Sequence, residues 1–204
     1  MGDSSRVSIE RVAQRQEWKV FCFLALFFAS IAVCAQPAMQ IPATEGTTLA
    51  GSHIALPDAF KGKINIIVVG FSRGSQEQVG SWGRLLAADY GHSGEVDYFE
   101  VAMLGTTPKL LRSMIIKRLS SSVPFDQRPH YFPVLESDQA WRAVAHYDKP
   151  DDAYILLVDG KGTVLWQTQG EPTNSAYGTF KATLAKLLKS QLGQGSAQHS
   201  TAAH

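Results

Sequence analysis

The chain has 204 residues, 45% of them hydrophobic and 18% charged, the balance of a folded globular protein, and this excludes wholesale disorder. Four of its 19 Lys and Arg and three of its 18 Asp and Glu fall in the first 35 residues, leaving 15 of each sign with no block of like charge. Nucleic-acid binding, which needs a basic face to neutralise phosphates, gets no support.

The chain opens on a leader. Arg6, Arg11, Arg15 and Lys19 outnumber Asp3, Glu10 and Glu17, and an apolar run follows from Val20 to Ala35. That run is shorter than the ~20 apolar residues a membrane-crossing helix needs. Val33, Cys34 and Ala35 supply a cleavage site, so residues 1–35 read as a signal peptide removed before Gln36. Retention as an N-terminal membrane anchor and acylation at Cys34 are the alternatives. Export to a periplasmic or other extracytoplasmic location follows, with membrane contact through this segment if it is kept. Both cysteines, Cys22 and Cys34, lie in the leader, so residues 36–204 hold neither a disulfide nor a nucleophilic thiol.

Residues 36–50, rich in Pro, Thr, Ala and Gly, read as an extended linker into a domain spanning 51–192. A short strand is expected around Ser52 to Leu56, then a loop from Pro57 to Lys63. Ile64 to Phe71 is a β-branched run that fits a strand buried on both faces at the centre of a mixed or parallel sheet. Ser72, Arg73, Gly74 and Ser75 form a turn, after which Val79, Trp82, Leu85, Leu86 and Tyr90 recur at helical spacing until Gly91. Val96 to Met103 is a second strand. Thr107 is placed to cap a helix with Pro108 at its first position and Leu110, Leu111, Met114, Ile115 and Leu119 along one face. Its other face carries Lys109, Arg112, Lys117 and Arg118, either a solvated surface or a docking surface for an acidic or lipid partner.

Ser122 to Phe132 reads as a loop, and Ser137 as the cap of a short helix containing Trp141, Val144 and Ala145. Ala153 to Asp159 and Thr163 to Thr168 are two strands of a hairpin whose turn, Gly160 to Gly162, offers glycines for positive φ. The last helix carries Phe180, Leu184, Leu187, Leu188 and Leu192 and is expected to stop at Gly193, with a disordered tail over 193–204. A β-α-β-α-β-β-α order in about 140 residues specifies an α/β class, a thioredoxin-like α/β/α sandwich with a mixed central sheet.

The strand from Ile66 to Phe71, the turn after it, the run from Tyr154 to Trp166 and Gly170 together resemble the thioredoxin and peroxiredoxin superfamily. In redox-active members that turn carries a cysteine at a helix N-terminus, where the dipole and free amides stabilise a thiolate. Here it reads Ser72, Arg73, Gly74, Ser75 and Gln76. The superfamily's cis-proline position falls on Ala153, since Pro150 lies too far upstream. Within the superfamily, the run from Gly70 to Gln76 with Trp82, then His130, Tyr131 and Phe132, and then Leu157 to Asp159 with Trp166, is similar to the mitochondrial ATP synthase assembly-factor family. That resemblance implies a chaperone for a membrane subunit of the F-type ATPase, although an export leader departs from a mitochondrial protein.

The expected function is an exported, redox-inactive binding and assembly factor for a membrane or secreted protein client, without a cofactor. A thiol oxidoreductase or peroxiredoxin relative, and a binder of a small anion at the turn, are the other readings. Arg73 beside Ser72 and Ser75 at a helix N-terminus suits an anion, or is a plain exposed arginine. A serine nucleophile would need a base, which His130 or His146 could supply only through the fold. The six histidines form no pair at ligand spacing, so no metal is expected. His130, between Pro129 and Pro133, is the best candidate for a functional histidine. Tyr131 and Phe132 beside it are either an exposed patch for a partner or part of the core. Asp159 is expected to shape the hairpin turn.

Overall fold

The computed structural model describes residues 38–60 and 64–201, with side chains as far as Gln191. The leader and the last three residues lie outside the described residues. The strands are β1 (Thr44–Thr47), β2 (His53–Leu56), β3 (Ile64–Gly70), β4 (Val96–Met103), β5 (Tyr131–Val134), β6 (Ala153–Asp159) and β7 (Val164–Gln169). The helices are α1 (Gln76–Tyr90), α2 (Lys109–Ser122), α3 (Asp138–Val144) and α4 (Asn174–Thr201), and a 3-10 turn covers Arg128–His130. β1 and β2 form an antiparallel pair, and the other five make one sheet in the order β5-β4-β3-β6-β7.

β3 is central because both its faces are apolar. Ile64, Ile66 and Val68 enter one core while Ile67 and Val69 enter the other, the two-residue alternation of a strand. It runs parallel to β4 and antiparallel to β6, so the sheet is mixed as expected. Val79, Trp82 and Leu86 of α1 and Phe180 and Leu184 of α4 cover one face. Leu56 of β2 and Trp141 and Val144 of α3 cover the other. The molecule is therefore a thioredoxin-like α/β/α sandwich.

Several boundaries differ from the sequence expectation. Part of the segment read as a linker belongs to the body: it contains β1, and Ile41, Thr44 and Thr48 are buried. The loop expected over 122–132 ends in β5, an edge strand, where the missing amide of Pro133 is tolerated. α2 starts at Lys109 with Pro108 at its N-cap, and Thr107 makes no side-chain cap. Ser137 stands at the N-cap of α3 with φ of 61°, but its hydroxyl caps nothing, and Trp141 N–H bonds to its carbonyl instead. Gly193 does not end the last helix, which continues to Thr201. In the β6–β7 hairpin, Asp159 Oδ1 accepts from the amides of Lys161 and Thr163, both at 2.8 Å, and Gly162 adopts φ of +82°. Asp159 thus does shape this turn.

Candidate functional site

The site grows from the junction of β3 and α1, where the chain leaves a strand with no outlet but a tight turn. Gly70, the last residue of β3, leaves no room for a side chain: a Cβ there would lie 2.8 Å from Ser75 Oγ and 2.9 Å from Val79 Cγ2. The two serines then tie the turn to itself. Ser75 Oγ donates to the Ser72 carbonyl at 2.9 Å, and Ser75 N–H donates to Ser72 Oγ at 3.1 Å. The Ser72 hydroxyl in turn donates to Asp151 Oδ1 at 2.9 Å, across to the loop before β6. The Gln76 amide is directed at the Arg73 carbonyl at 3.3 Å. Ser75 is buried and Arg73 is exposed.

The Ser75 and Gln76 amides have acceptors in Ser72 Oγ and the Arg73 carbonyl, and the Asp151 carboxylate sits over Gly74, where a side chain would collide with it. A carboxylate at a helix N-terminus is itself favourable. The protein's own carboxylate thus stands at the head of α1, which weighs against a small anion held at Arg73. Neither serine hydroxyl has a histidine partner. His130 Nδ1–H donates to the Tyr98 carbonyl at 2.9 Å, and His146 Nδ1 pairs with Gln167 Nε2. A serine nucleophile activated by either base is therefore not assembled.

The glutamines of α1 connect the turn to two strands. Gln76 Oε1 accepts from Tyr131 Oη at 2.9 Å, joining the two groups of candidate residues read from the sequence. Gln78 Oε1 accepts the amide of Ala153 at 2.9 Å. Ala153 stands where the cis-proline was sought, and the cis peptide bond among the described residues is Leu56–Pro57 instead. The amide at the head of β6 thus has an internal partner. Tyr131 and Phe132 are both buried in β5, so the aromatic pair belongs to the core and not to an exposed patch. His130 is half-buried and stacks on Tyr98 at 4.1 Å between ring centroids. Its hydrogen bond with Asp97 raises its pKa above the usual histidine value, against the opposing effect of burial.

Beneath α1 lies a carboxyl that sequence reasoning passed over. Glu100 points from β4 into the face covered by α1, is buried, and presses against Gly83, whose missing side chain makes room for it. Its Oε1 has no hydrogen-bond partner among the described residues. Burial pushes its pKa up to about 7, against the opposing pull of His130 and Arg84. An acid set between Phe99 and Val101, on the same strand face as Val96 and Tyr98, was the available signal. Asp151 and Gln78 were also missed, because their roles depend on contacts 79 and 75 residues away in the chain.

A groove of about 570 Å³ opens beside the turn, between α1 and the segment before α4, lined by Gly74, Gln78, Arg84, Asp151, Glu171 and Pro172. Among the described residues, no group of three or more His, Cys, Asp or Glu is placed to hold a metal ion.

Solved structures that resemble this one include the following three. BsSco, a member of the Sco family of cytochrome c oxidase assembly proteins, shares 14% identity at TM-score 0.52, over 75% of this chain and 95% of that one. The exposed lipoprotein thioredoxin Etrx1 of Streptococcus pneumoniae shares 12% at 0.51, over 73% and 99%. A conserved protein of Geobacillus kaustophilus shares 16% at 0.55, over 74% and 81%. Likeness at such identities shows the thioredoxin-like fold alone. No curated protein matches the chain. Residues 25–187, more than half of the chain, match the family model described as ATP10 protein. The chain therefore belongs to the ATP10 protein family of ATP synthase assembly factors.

Proposed function

We propose that this protein is an exported assembly factor that acts by holding a membrane-protein client and performs no thiol exchange. The observation that carries this is the closed turn at the head of α1. Ser72, Ser75 and Asp151 satisfy one another where a thiol-exchange enzyme would hold a thiolate. Residues 36–204 contain no cysteine to take that role. What the site offers instead is the adjoining groove, whose charged lining is Glu77, Asp151 and Glu171 against the single Arg84. An extended polar or basic segment of the client is the complement of such a lining. Membership of an assembly-factor family supports a protein client, and the family resemblance implies a membrane subunit of an F-type ATPase.

The test uses the full chain in its native host, with a photo-reactive amino acid at Glu77 and mass spectrometry of what it captures and of the chain's own N-terminus. A reproducible membrane protein at that position, with an N-terminus at Gln36, is the expected result. Capture of nothing at Glu77 would overturn the client reading, and an intact Met1 would overturn cleavage before Gln36. In a parallel insulin-reduction assay the protein is expected to match buffer, and any turnover would contradict the redox-inactive reading.

A further inference from the structure

α2 faces the wrong way for a helix that exists only to cover a sheet. Ile115, Ile116 and Leu119 are half-buried, and none of its residues is fully buried. Leu110 is 92% exposed and Met114 61%, with Leu111 beside them, and Phe125 just past the helix is 82% exposed. Only two other large apolar residues among the described ones are exposed, Leu135 and Leu165, and each marginally. The exposed apolar surface is thus concentrated on one helix and the turn after it.

The charged groups from Lys109 to Phe125 are of one sign. There are four cations, Lys109, Arg112, Lys117 and Arg118, and no Asp or Glu. Arg112 turns inward, donating to the carbonyls of Thr107 and Gly105. Lys109, Lys117 and Arg118 are exposed, and none of the ion pairs among the described residues includes them. Leu110, Met114, Lys117, Arg118 and Ser121 recur at i, i+4, i+7, i+8 and i+11, which places the cations beside the apolar row on one face. Arg128 lies over the Phe125 ring at 5.5 Å and adds a cation at its tip, offset by the exposed Asp126 between them. Ser120, Ser121 and Ser122 turn their hydroxyls back to the carbonyls of Ile116, Lys117 and Leu119, so this face can leave water without stranding donors.

We infer that this face of α2, together with Phe125, docks on the surface of a bilayer that carries anionic lipids. A convex row of Leu, Met and Phe tips enters the headgroup boundary, while lysine and arginine stems lie along it with their charges at the phosphates. A folded protein partner would need a concavity both apolar and acidic to match this face. An anionic bilayer presents acyl chains beneath negative headgroups at every point. The inference is independent of which segment the groove accepts.

The experiment is hydrogen exchange by mass spectrometry on the full chain with vesicles, one set of phosphatidylcholine alone and one with a third phosphatidylglycerol. The apolar run from Val20 to Ala35 is common to every variant, so the readout is local to residues 109–125. Exchange there is expected to slow several-fold with the anionic vesicles only. The double variant Lys117→Glu with Arg118→Glu should lose that slowing, each removed cation weakening attachment by about fivefold. Leu110→Ser with Met114→Ser should lose it as well, while unchanged exchange in β3 certifies the fold. Equal protection by both vesicle types, or none by either, would overturn the inference. So would protection of 109–125 by the captured client in detergent without lipid.

Discussion

At the scale of single residues, Glu100 is the most consequential side chain that the proposed function does not use. Its carboxyl ionises at about 7 in the fold against 4.5 in the reference state. Between those values the native protein keeps a proton that the unfolded chain has shed, so stability falls as pH rises through that window and levels off above it. Glu100→Gln should therefore be more stable than the parent at pH 8 by on the order of 3 kcal/mol, the gap closing towards pH 4.5. Urea titrations across pH would show this, and a variant with the parent's pH slope would sink the idea. Gly83→Ala drives a methyl into the same carboxyl and should cost about 1–3 kcal/mol. In a Glu100→Ala background that penalty should largely vanish, leaving a coupling energy of about 0.5–3 kcal/mol.

At the scale of elements, α1 and α2 are opposites. Leu86 of α1 is fully buried, and Leu86→Ala should cost about 2–5 kcal/mol. Leu110→Ser on α2 removes almost no buried surface and should stay within about 0.5 kcal/mol of the parent in chemical denaturation. A large loss at Leu110 would mean that the residue has an internal role. The sequence marked α2 as amphipathic, and its period was correct. Which stripe faces the body was not legible, because a helix with apolar residues on several sides does not declare which of them meets the sheet. The turn at Ser72 to Gln76 was found from its place after β3, whereas its partner Asp151 was not. The loop from Lys149 to Asp152 carries two adjacent aspartates, and only the folded chain shows which one accepts from Ser72.

For the whole molecule, the sheet's centre was readable and its margins were not. β3, β4 and the β6–β7 hairpin announce themselves by β-branched runs and a glycine turn, because strands at the middle of a sheet must be apolar on both faces. β1 reads Thr, Glu, Gly, Thr and β5 contains Pro133, so neither shows alternation, and each lies where the neighbouring backbone supplies what side chains do not. Titration links the margins to the centre. His130, at the start of β5, has its pKa raised above 6.5 by Asp97, so its contribution is present below that value and fades as pH rises through the folded one. Glu100 acts in the same direction over the window just below. Asp89 and Asp148, whose pKa values are lowered, act only under acid conditions, below the range of either. The domain should therefore be more stable at pH 6 than at pH 8, with a higher urea midpoint and an unchanged m-value. A midpoint that rises with pH would contradict this.

The contact between Gly83 and Glu100 also has a meaning across generations. Positions 83 and 100 occupy one volume, so descent can enlarge one only by shrinking the other. A relative with alanine or serine in place of Gly83 should carry a small residue in place of Glu100. One that keeps the glutamate should keep the glycine, and the two columns should change together.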